Sequence, residues 1–148
     1  DQVRLDIAQA AAQQLKEVGI DCTVEVPTEV DWGGQMAYLI GWGSPFDADD
    51  HTYKVFGTDK GANYSSYSNA LVDQYLIEAR ESADPAVRAE AYDKFQEELA
   101  KDPAFTFICY IDANYVANSS IQGISADTVM GHHGVGIFWN VADWTIGN

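Results

Sequence analysis

One stretch constrains the fold of this chain more than any other: Met36-Ala-Tyr-Leu-Ile-Gly-Trp-Gly-Ser-Pro-Phe-Asp-Ala-Asp-Asp-His51. It opens with an apolar run, breaks at the two glycines that flank Trp42, turns at Pro45 and ends in a group of acidic residues. In α/β folds, a buried strand followed by such an elbow presents side chains to a ligand at the carboxyl edge of the sheet. The stretch therefore predicts a ligand-binding elbow that the rest of the chain holds in place.

Composition and charge exclude several classes of function. The chain has 148 residues, the length of one ordinary domain, and 47% of them are hydrophobic, which is enough to form a core. A formal net charge of −15 argues against binding to nucleic acid or to an anionic membrane surface, because both require a basic face. No apolar run approaches the roughly 20 residues that span a bilayer.

The hydrophobic periodicity predicts an α/β fold. Helices are expected at 3–18, from Asp49 or Asp50 to about 56, at 70–82 and at 85–101. Strands are expected at Ile20–Val26, Ala37–Ile40 and Phe105–Tyr110, the second buried on both faces. The strand expected before the first helix is absent, and the chain begins without Met, so we expect an N-terminally truncated piece of a longer protein.

Caps and apolar faces define the helices more closely. Gly19 suits the left-handed residue that closes the first helix, while Asn69 and the pair Asp84-Pro85 suit the starts of the last two. The residues expected to be buried on those last two helices are Leu71, Val72, Tyr75, Leu76, Ala79, Val87, Ala91, Phe95 and Leu99. The loop 57–68 has turn-like composition and carries Tyr64 and Tyr67.

Cysteine and histidine do not identify a metal or redox site. Cys22 and Cys109 could form a disulfide or remain two buried free thiols. His132 and His133 are adjacent and would point in opposite directions on an extended chain, which disfavours joint chelation of one ion. The acids from Asp47 onward do not match a helix–loop–helix calcium site, so neither a metal nor another cofactor is predicted.

No catalytic motif stands out. The segment around Ser44 lacks the Gly-x-Ser-x-Gly pattern of a nucleophile elbow, and no glycine-rich phosphate loop precedes a helix. An acid-dependent hydrolase using Asp47 or Asp49 is the competing hypothesis from a different functional class. Aromatic residues beside glycine-rich turns instead favour recognition of a small or peptidic ligand, with Trp42 and Phe46 as its surfaces.

The order of several motifs resembles that of a known family. The matching segments are Ile7 to Ile20, Tyr38 to Asp47 with its Gly-Trp-Gly-Ser-Pro-Phe-Asp run, Asn63 to Asp73, and Ala79 to Pro103. This order is similar to that of the family 5 solute-binding proteins, the dipeptide, oligopeptide and nickel receptors of bacterial ABC importers. The resemblance covers most of the chain.

The resemblance implies a role in import rather than in catalysis. Such receptors have a two-lobed type II periplasmic-binding-protein fold, and this chain would be a C-terminal portion. Residues 1–119 would form the C-terminal lobe, and residues 120–148 would return toward the missing N-terminal lobe. The receptor would lie outside the cytoplasm, as a cell-surface lipoprotein or a periplasmic protein. It would bind a di- or oligopeptide between its lobes and deliver the peptide to membrane permease subunits.

The family's Trp-Gly-x-Pro-aromatic-Asp segment contributes to the ligand cleft. Carried over residue by residue, the ligand-binding positions are Trp42, Gly43, Ser44, Pro45, Phe46 and Asp47, to which the residues themselves add Tyr64. Peptide receptors usually hold the ligand's ammonium group with an Asp just after Gly-Trp, a place that here falls around Pro45. Nickel receptors continue with Pro-His, whereas here Asp47 is followed by Ala48, and the position of their downstream chelating histidine falls near Lys60. A peptide is the preferred ligand, and a nickel or metal chelate is the alternative.

Overall fold

The computed structural model describes residues 1–34, 36–43, 47–112, 114–124 and 136–147. They form two compact units, 1–41 and 42–148. The predicted domain boundary at 119/120 stays a prediction.

The first unit is built on helix α1, Gln2–Glu17. The side chain of Asp1 caps its N-terminus by accepting hydrogen bonds from the backbone N–H groups of Val3 and Arg4. Gly19 has φ of +85°, which confirms the left-handed residue predicted after the helix. None of the residues of α1 is fully buried.

Three further helices carry the second unit: α2 at Ala48–Phe56, α3 at Ala70–Glu81 and α4 at Pro85–Lys101. Asn69 and Asp84 cap α3 and α4, as predicted. The N-cap of α2 is Asp47, rather than Asp49 or Asp50, which lie in its first turn. The prediction for α2 was wrong at this point because several acids in a row offer equivalent capping signals.

The hydrophobic core lies between α3 and α4. Val72, Leu76, Phe95 and Leu99 are buried together. The partly buried side chains packed around them are Tyr53, Phe56, Tyr67, Tyr75, Tyr92 and Ala104. Leu71 and Val87, which were also predicted to be buried, are exposed. Both lie in the first turn of their helix, and a helical apolar stripe does not show how far along the helix a neighbour covers it.

The three predicted strands are not paired into a sheet in the part of the chain that the structure describes. Residues 20–26, 37–40 and 105–110 lie outside regular secondary structure and are largely exposed, including the segment predicted to be buried on both faces. Apolar alternation predicts an extended backbone, but a strand also needs a neighbour about 4.8 Å away, which the pattern does not supply.

The sheet that is described comes from the C-terminal segment. Strands β1, Ile121–Gln122, and β2, Thr145–Ile146, pair antiparallel, with Ile121 opposite Ile146. A 3-10 helical segment, Gly136–Asp143, precedes β2. Gly123 has φ of +89°, and a Cβ there would lie 2.8 Å from the carbonyl oxygen of Asp143. Only glycine fits that position without a shift of the backbone.

Two remaining expectations concern the cysteines and membrane insertion. Cys22 and Cys109 are both free, as one of the two alternatives had it, but both are exposed, so the expected burial was wrong. Both lie in segments predicted as strands, and those segments are not covered by a sheet. Among the described residues, no helix combines the length and the apolar character needed to cross a membrane. His132 and His133 lie outside the described residues.

The Trp42 elbow as a candidate ligand-binding site

Trp42 presents a large aromatic surface at the elbow. Its ring is nearly parallel to that of Tyr64, with 6.2 Å between centroids and 9° between planes. His51, on α2, lies against the same indole at 5.7 Å and 50°. Trp42 remains 38% exposed, so part of its ring faces solvent. An aromatic group held on its flanks and open elsewhere can stack on a ligand without reorganising. We call Trp42, His51 and Tyr64 the aromatic wall.

The loop 57–68 fixes Tyr64 through the side chain of Asn63. The amide nitrogen of Asn63 donates to the carbonyl oxygens of Gly57 at 3.0 Å and of Tyr67 at 2.7 Å. Its amide oxygen accepts from the backbone N–H of Tyr67 at 3.0 Å and from the hydroxyl of Ser65 at 3.2 Å. One side chain therefore closes the loop on both sides of Tyr64, which accounts for the defined position of a loop residue.

Asp47 joins the elbow to α4. Its carboxylate accepts two hydrogen bonds from the same guanidinium nitrogen of Arg88, at 2.7 and 2.8 Å, and one from the backbone N–H of Asp49 at 2.8 Å. Arg88 is fixed in turn, because its other terminal nitrogen donates to the carbonyl oxygen of Ala79 at 3.1 Å. Asp47 is thus both the N-cap of α2 and the partner of a basic residue from α4.

The other two acids of the elbow also have basic partners. Asp49 lies 3.5 Å from a guanidinium nitrogen of Arg80, and Asp50 lies 2.9 Å from the ammonium group of Lys54. The guanidinium of Arg80 stacks over the ring of Tyr53 at 4.0 Å. Each carboxylate of the group 47–50 is therefore matched by one cation of this chain.

These contacts shift the ionisation of the elbow. The backbone hydrogen bond from Asp49, followed by the bond from Arg88, lowers the pKa of Asp47 below its ordinary value of 3.8. The hydrogen bond from Lys54 lowers the pKa of Asp50 in the same way. The hydrogen bond to Asp47 raises the pKa of Arg88 above its ordinary value. All three groups stay charged through the neutral range, and a lowered carboxyl pKa does not suit a general acid.

The predicted site residues fall into three groups. Trp42, Tyr64 and Asp47 all lie near the start of α2 through the contacts above, and Gly43 follows Trp42 as a half-buried residue outside regular structure. Ser44, Pro45 and Phe46 lie outside the described residues. The assignment of all seven to a ligand site stays a prediction.

Sequence reasoning included His51 in the elbow stretch but gave neither His51 nor Arg88 a role in the site. Arg88 is separated from Asp47 by 41 positions, so no local spacing pairs them. His51 was named only as the last residue of the elbow stretch. Its helical placement, one turn after the N-cap Asp47, was the available signal that it would face back toward the elbow.

Two small surface pockets border the loop 57–68. One, of about 130 Å³, is lined by Tyr53, Gly57, Thr58, Lys60, Asp73, Leu76 and Ile77. The other, of about 340 Å³, is lined by Thr58, Asp59, Asn63, Ser66, Tyr67 and Ser68. Neither includes Trp42. Within the described ranges, no group of three or more His, Cys, Asp or Glu side chains is arranged to hold a metal ion.

Comparisons with known proteins find relatives that match most of this chain. The chain is 36% identical to Protein XP55 of Streptomyces lividans over 84% of its own length and 24% of that protein. It is 25% identical to the oligopeptide-binding protein AppA of Bacillus subtilis, over 97% of this chain and 27% of that protein. The crystal structure of NikZ from Campylobacter jejuni in complex with Ni(L-His) matches 98% of this chain with a TM-score of 0.82 and 33% identity.

The chain is homologous to the family 5 solute-binding proteins. Its fold is that of part of a type II periplasmic-binding protein, so the predicted fold class is confirmed even though the predicted strands are not paired in the described residues. The chain spans only about a quarter to a third of the relatives it matches, 24% of XP55 and 31% of NikZ. No family model matches the sequence. The relatives are solute-binding proteins, and their names differ in the ligand, an oligopeptide for AppA and Ni(L-His) in the NikZ structure.

Proposed function

We propose that this chain contributes one wall of the ligand cleft of a bacterial ABC importer receptor, and that the ligand is a di- or oligopeptide. The observation that carries the proposal is the aromatic wall, in which an indole 38% exposed is stacked on Tyr64 at the elbow. Such a surface contributes contact area to a ligand whose backbone can be bound by neighbouring main-chain groups. The similarity to an oligopeptide-binding protein supports the choice of a peptide.

The mechanism we propose is closure of two lobes around the ligand. Residues 1–119 belong to the C-terminal lobe in this proposal, and residues 120–148 return toward an N-terminal lobe in the remainder of a longer protein. The closed state binds the peptide more tightly than the open state and is recognised by membrane permease subunits. The complete receptor acts outside the cytoplasm, as a periplasmic protein or a cell-surface lipoprotein.

We propose a binding protein rather than a hydrolase. The hydrolase hypothesis requires Asp47 or Asp49 to exchange protons with a substrate near neutral pH. Asp47 instead caps α2 and accepts two hydrogen bonds from Arg88, and its pKa is lowered. Asp49 lies against Arg80. Both carboxylates are better explained as structural groups of the elbow.

A nickel or metal chelate is the second candidate ligand. It is favoured by the similarity to NikZ, whose structure contains Ni(L-His), and by the imidazole of His51 at 5.7 Å from Trp42. A chelate that brings its own ligands to the metal requires few from the protein. It is therefore compatible with the absence of a three-residue metal group among the residues described.

Mass spectrometry of the ligand that co-purifies with the longer receptor tests the proposed function. A bound peptide supports it, whereas a nickel chelate selects the second candidate and a ligand of neither type contradicts both. Calorimetry of the 148-residue chain with di- to pentapeptides tests whether tight binding requires a second cleft wall from outside this chain. Binding weaker than about 1 mM is expected because one wall is supplied elsewhere, and micromolar binding by the chain alone would contradict that division.

A further inference from the structure

The smaller of the two surface pockets lies between α2, the loop 57–68 and α3. Its volume is about 130 Å³, and Tyr53, Lys60, Asp73, Leu76 and Ile77 contribute to its wall. We call it the Lys60 pocket. At about 30 Å³ for each water molecule, it holds about four of them, so the ligand that fits inside it has few atoms.

Lys60 brings an ammonium group to this pocket. The other Lys and Arg side chains of the second unit each form an ion pair with an acid, namely Lys54, Arg80, Arg88, Lys94 and Lys101. Lys60 pairs with none of the described acids, and its ammonium nitrogen lies 4.9 Å from the ring centroid of Tyr53. Its stem packs against Gly57, where an added Cβ would lie 2.8 Å from Cγ of Lys60. A positioned cation therefore remains open to an anionic group of a ligand.

Asp73 places a carboxylate at the same pocket. One of its oxygens accepts a hydrogen bond from the backbone N–H of Thr58 at 2.8 Å, which ties the side chain to the loop 57–68. None of the ion pairs formed by the described residues includes Asp73, so it is not paired with Lys60 either. The pocket thus carries one cation and one anion, each without an ionic partner in the described part of the chain.

Aliphatic side chains complete much of the wall. Leu76 is 1% exposed and Ile77 is 44% exposed. Apolar surroundings reduce the local dielectric constant, which strengthens the attraction between a ligand charge and its counter-charge. A simple anion is repelled by the net charge of −15, whereas a simple cation leaves Lys60 unmatched. A ligand that carries both charges matches both groups.

We propose that the Lys60 pocket binds a small zwitterion of the amino-acid class. The carboxylate of the ligand lies against the ammonium group of Lys60, and its ammonium group lies against the carboxylate of Asp73. The pocket volume favours a free amino acid with a small side chain over a peptide. The pocket does not include Trp42, so this site is additional to the aromatic wall and does not depend on the proposed receptor function.

Four small probes test the proposal. The isotope-labelled 148-residue chain is titrated at pH 7 with glycine, acetate, methylammonium and diglycine, and the backbone N–H signals of Thr58, Lys60 and Asp73 are followed by NMR. Glycine should shift these signals with a dissociation constant of the order of 1 mM. Acetate and methylammonium should bind at least about tenfold more weakly, because each matches one charge. Diglycine should also bind more weakly, because it exceeds the pocket.

Charge-removing variants identify the two groups that make the contacts. Lys60→Gln should weaken glycine binding by about tenfold or more, whereas Lys16→Gln, which removes the same charge from α1, should leave it unchanged. Asp73→Asn keeps an oxygen acceptor for the N–H of Thr58 and should weaken the binding of glycine but not of acetate. Asp93→Asn, at an exposed position of α4, is its control.

Two kinds of result would overturn the proposal. Glycine that shifts none of the three signals at concentrations up to about 50 mM excludes a site of the expected affinity. Acetate, methylammonium or diglycine that binds as tightly as glycine would show that the pocket does not select a small zwitterion. Equal effects of Lys60→Gln and Lys16→Gln would also contradict it, because the loss would then come from the net charge of the chain.

Discussion

The role of Asp47 illustrates how a conspicuous residue can serve the structure that supports a site. An acid at a predicted cleft suggests contact with a cationic ligand group, but this carboxylate caps α2 and pairs with Arg88. The two functions are separable by chemistry, because an N-cap requires only an oxygen acceptor whereas the pair with arginine requires a charge. Replacement of Asp47 by the amide therefore isolates the ion pair.

Asp47→Asn is expected to lower the midpoint of urea unfolding at pH 7 while leaving α2 capped, since Asn is also a good N-cap. Because the folded-state pKa of Asp47 lies below 3.8, its contribution is complete above that pH and is lost as the pH falls through the lowered pKa. The difference between wild type and variant should thus persist from pH 7 to 5 and disappear in stronger acid. Urea unfolding at several pH values measures it.

Glu90→Gln is the matched control for Asp47→Asn. It breaks the pair with Lys94, which joins two positions one turn apart on α4 and connects no second element. A smaller change in midpoint is expected. Equal effects of the two substitutions would show that the pair between Asp47 and Arg88 has no special role.

Glycine is needed at position 57 because there is no room for a Cβ atom, and not because the backbone conformation there is unusual. A Cβ at this position would lie 2.7 Å from the carbonyl oxygen of Tyr53 and 2.8 Å from Cγ of Lys60. Gly57→Ala is expected to destabilise the chain by about 1–3 kcal/mol, as overpacking does elsewhere. Gly61→Ala is the control, because nothing lies within 4 Å of its added Cβ. Thermal unfolding of both variants compares them, and equal stability would contradict the crowding described at Gly57.

At the scale of elements, α3 and α4 form the stable part of the second unit, and the loop 57–68 forms the part that positions Tyr64. The helices are held by buried apolar side chains, whereas the loop is held by the hydrogen bonds of Asn63. These two types of interaction predict different consequences of mutation, one affecting global stability and the other the geometry of the aromatic wall.

Leu76→Ala tests the core. Leu76 is 1% exposed and belongs to the buried cluster, so its truncation should cost about 2–5 kcal/mol in the free energy of unfolding. Leu71→Ala removes the same atoms from the same helix at a side chain that is 44% exposed, and it should change stability by less than about 1 kcal/mol. Denaturant unfolding of the two variants measures the difference. Similar losses in the free energy of unfolding would show that Leu76 does not belong to the core.

Asn63→Ala tests the loop. The substitution removes both hydrogen bonds donated by the amide and both that it accepts, leaving part-buried carbonyl oxygens without those partners. We expect a loss of about 1–3 kcal/mol, together with an altered near-ultraviolet circular dichroism signal from the stacked Trp42 and Tyr64. Ser65→Ala, which removes one exposed hydrogen bond, is the control. An unchanged aromatic signal in Asn63→Ala would show that the hydrogen bonds of Asn63 do not determine how Tyr64 stacks on Trp42.

Local signals predicted most of the helical structure, while long-range pairing escaped them. Asn69 and the Asp84-Pro85 pair identified helix starts because capping involves residues two or three positions apart. The pairing of Asp47 with Arg88 could not be predicted from spacing, because it depends on how α2 packs in three dimensions. The strand predictions failed similarly, since residues 105–110 show apolar character without identifying a partner. Trp42 was recognised from its flanking glycines, whereas His51 required the structure.

At the scale of the whole molecule, a high negative charge coexists with large exposed apolar side chains. The net charge is −15. Among the most exposed apolar side chains are Val26, Met36, Phe107, Tyr110, Val116 and Ile146. Charge repulsion keeps such chains apart, and apolar patches draw them together, so the balance depends on ionic strength.

We therefore expect self-association of the 148-residue chain to increase between 20 and 500 mM NaCl, about where the Debye length falls below 10 Å. Light scattering over a range of protein concentrations measures it. Combining Tyr110→Ser with Val116→Ser should reduce the association, because both side chains are fully exposed on one segment. Val18→Ser, at the end of α1, is the control. A monodisperse monomer at both salt concentrations would contradict the expectation.

The way in which α2 is attached has a consequence for the order of local opening. The buried cluster lies on α3 and α4, while α2 buries one side chain, Val55, packs the partly buried Tyr53 and Phe56 against the cluster, and is tied to its neighbours through ion pairs at its start. Amide hydrogens of α2 should therefore exchange with solvent through fluctuations of lower free energy than those that expose α3 and α4. The ring of Trp42 contacts His51 on α2, so its orientation would change when α2 opens, while α3 and α4 remain folded.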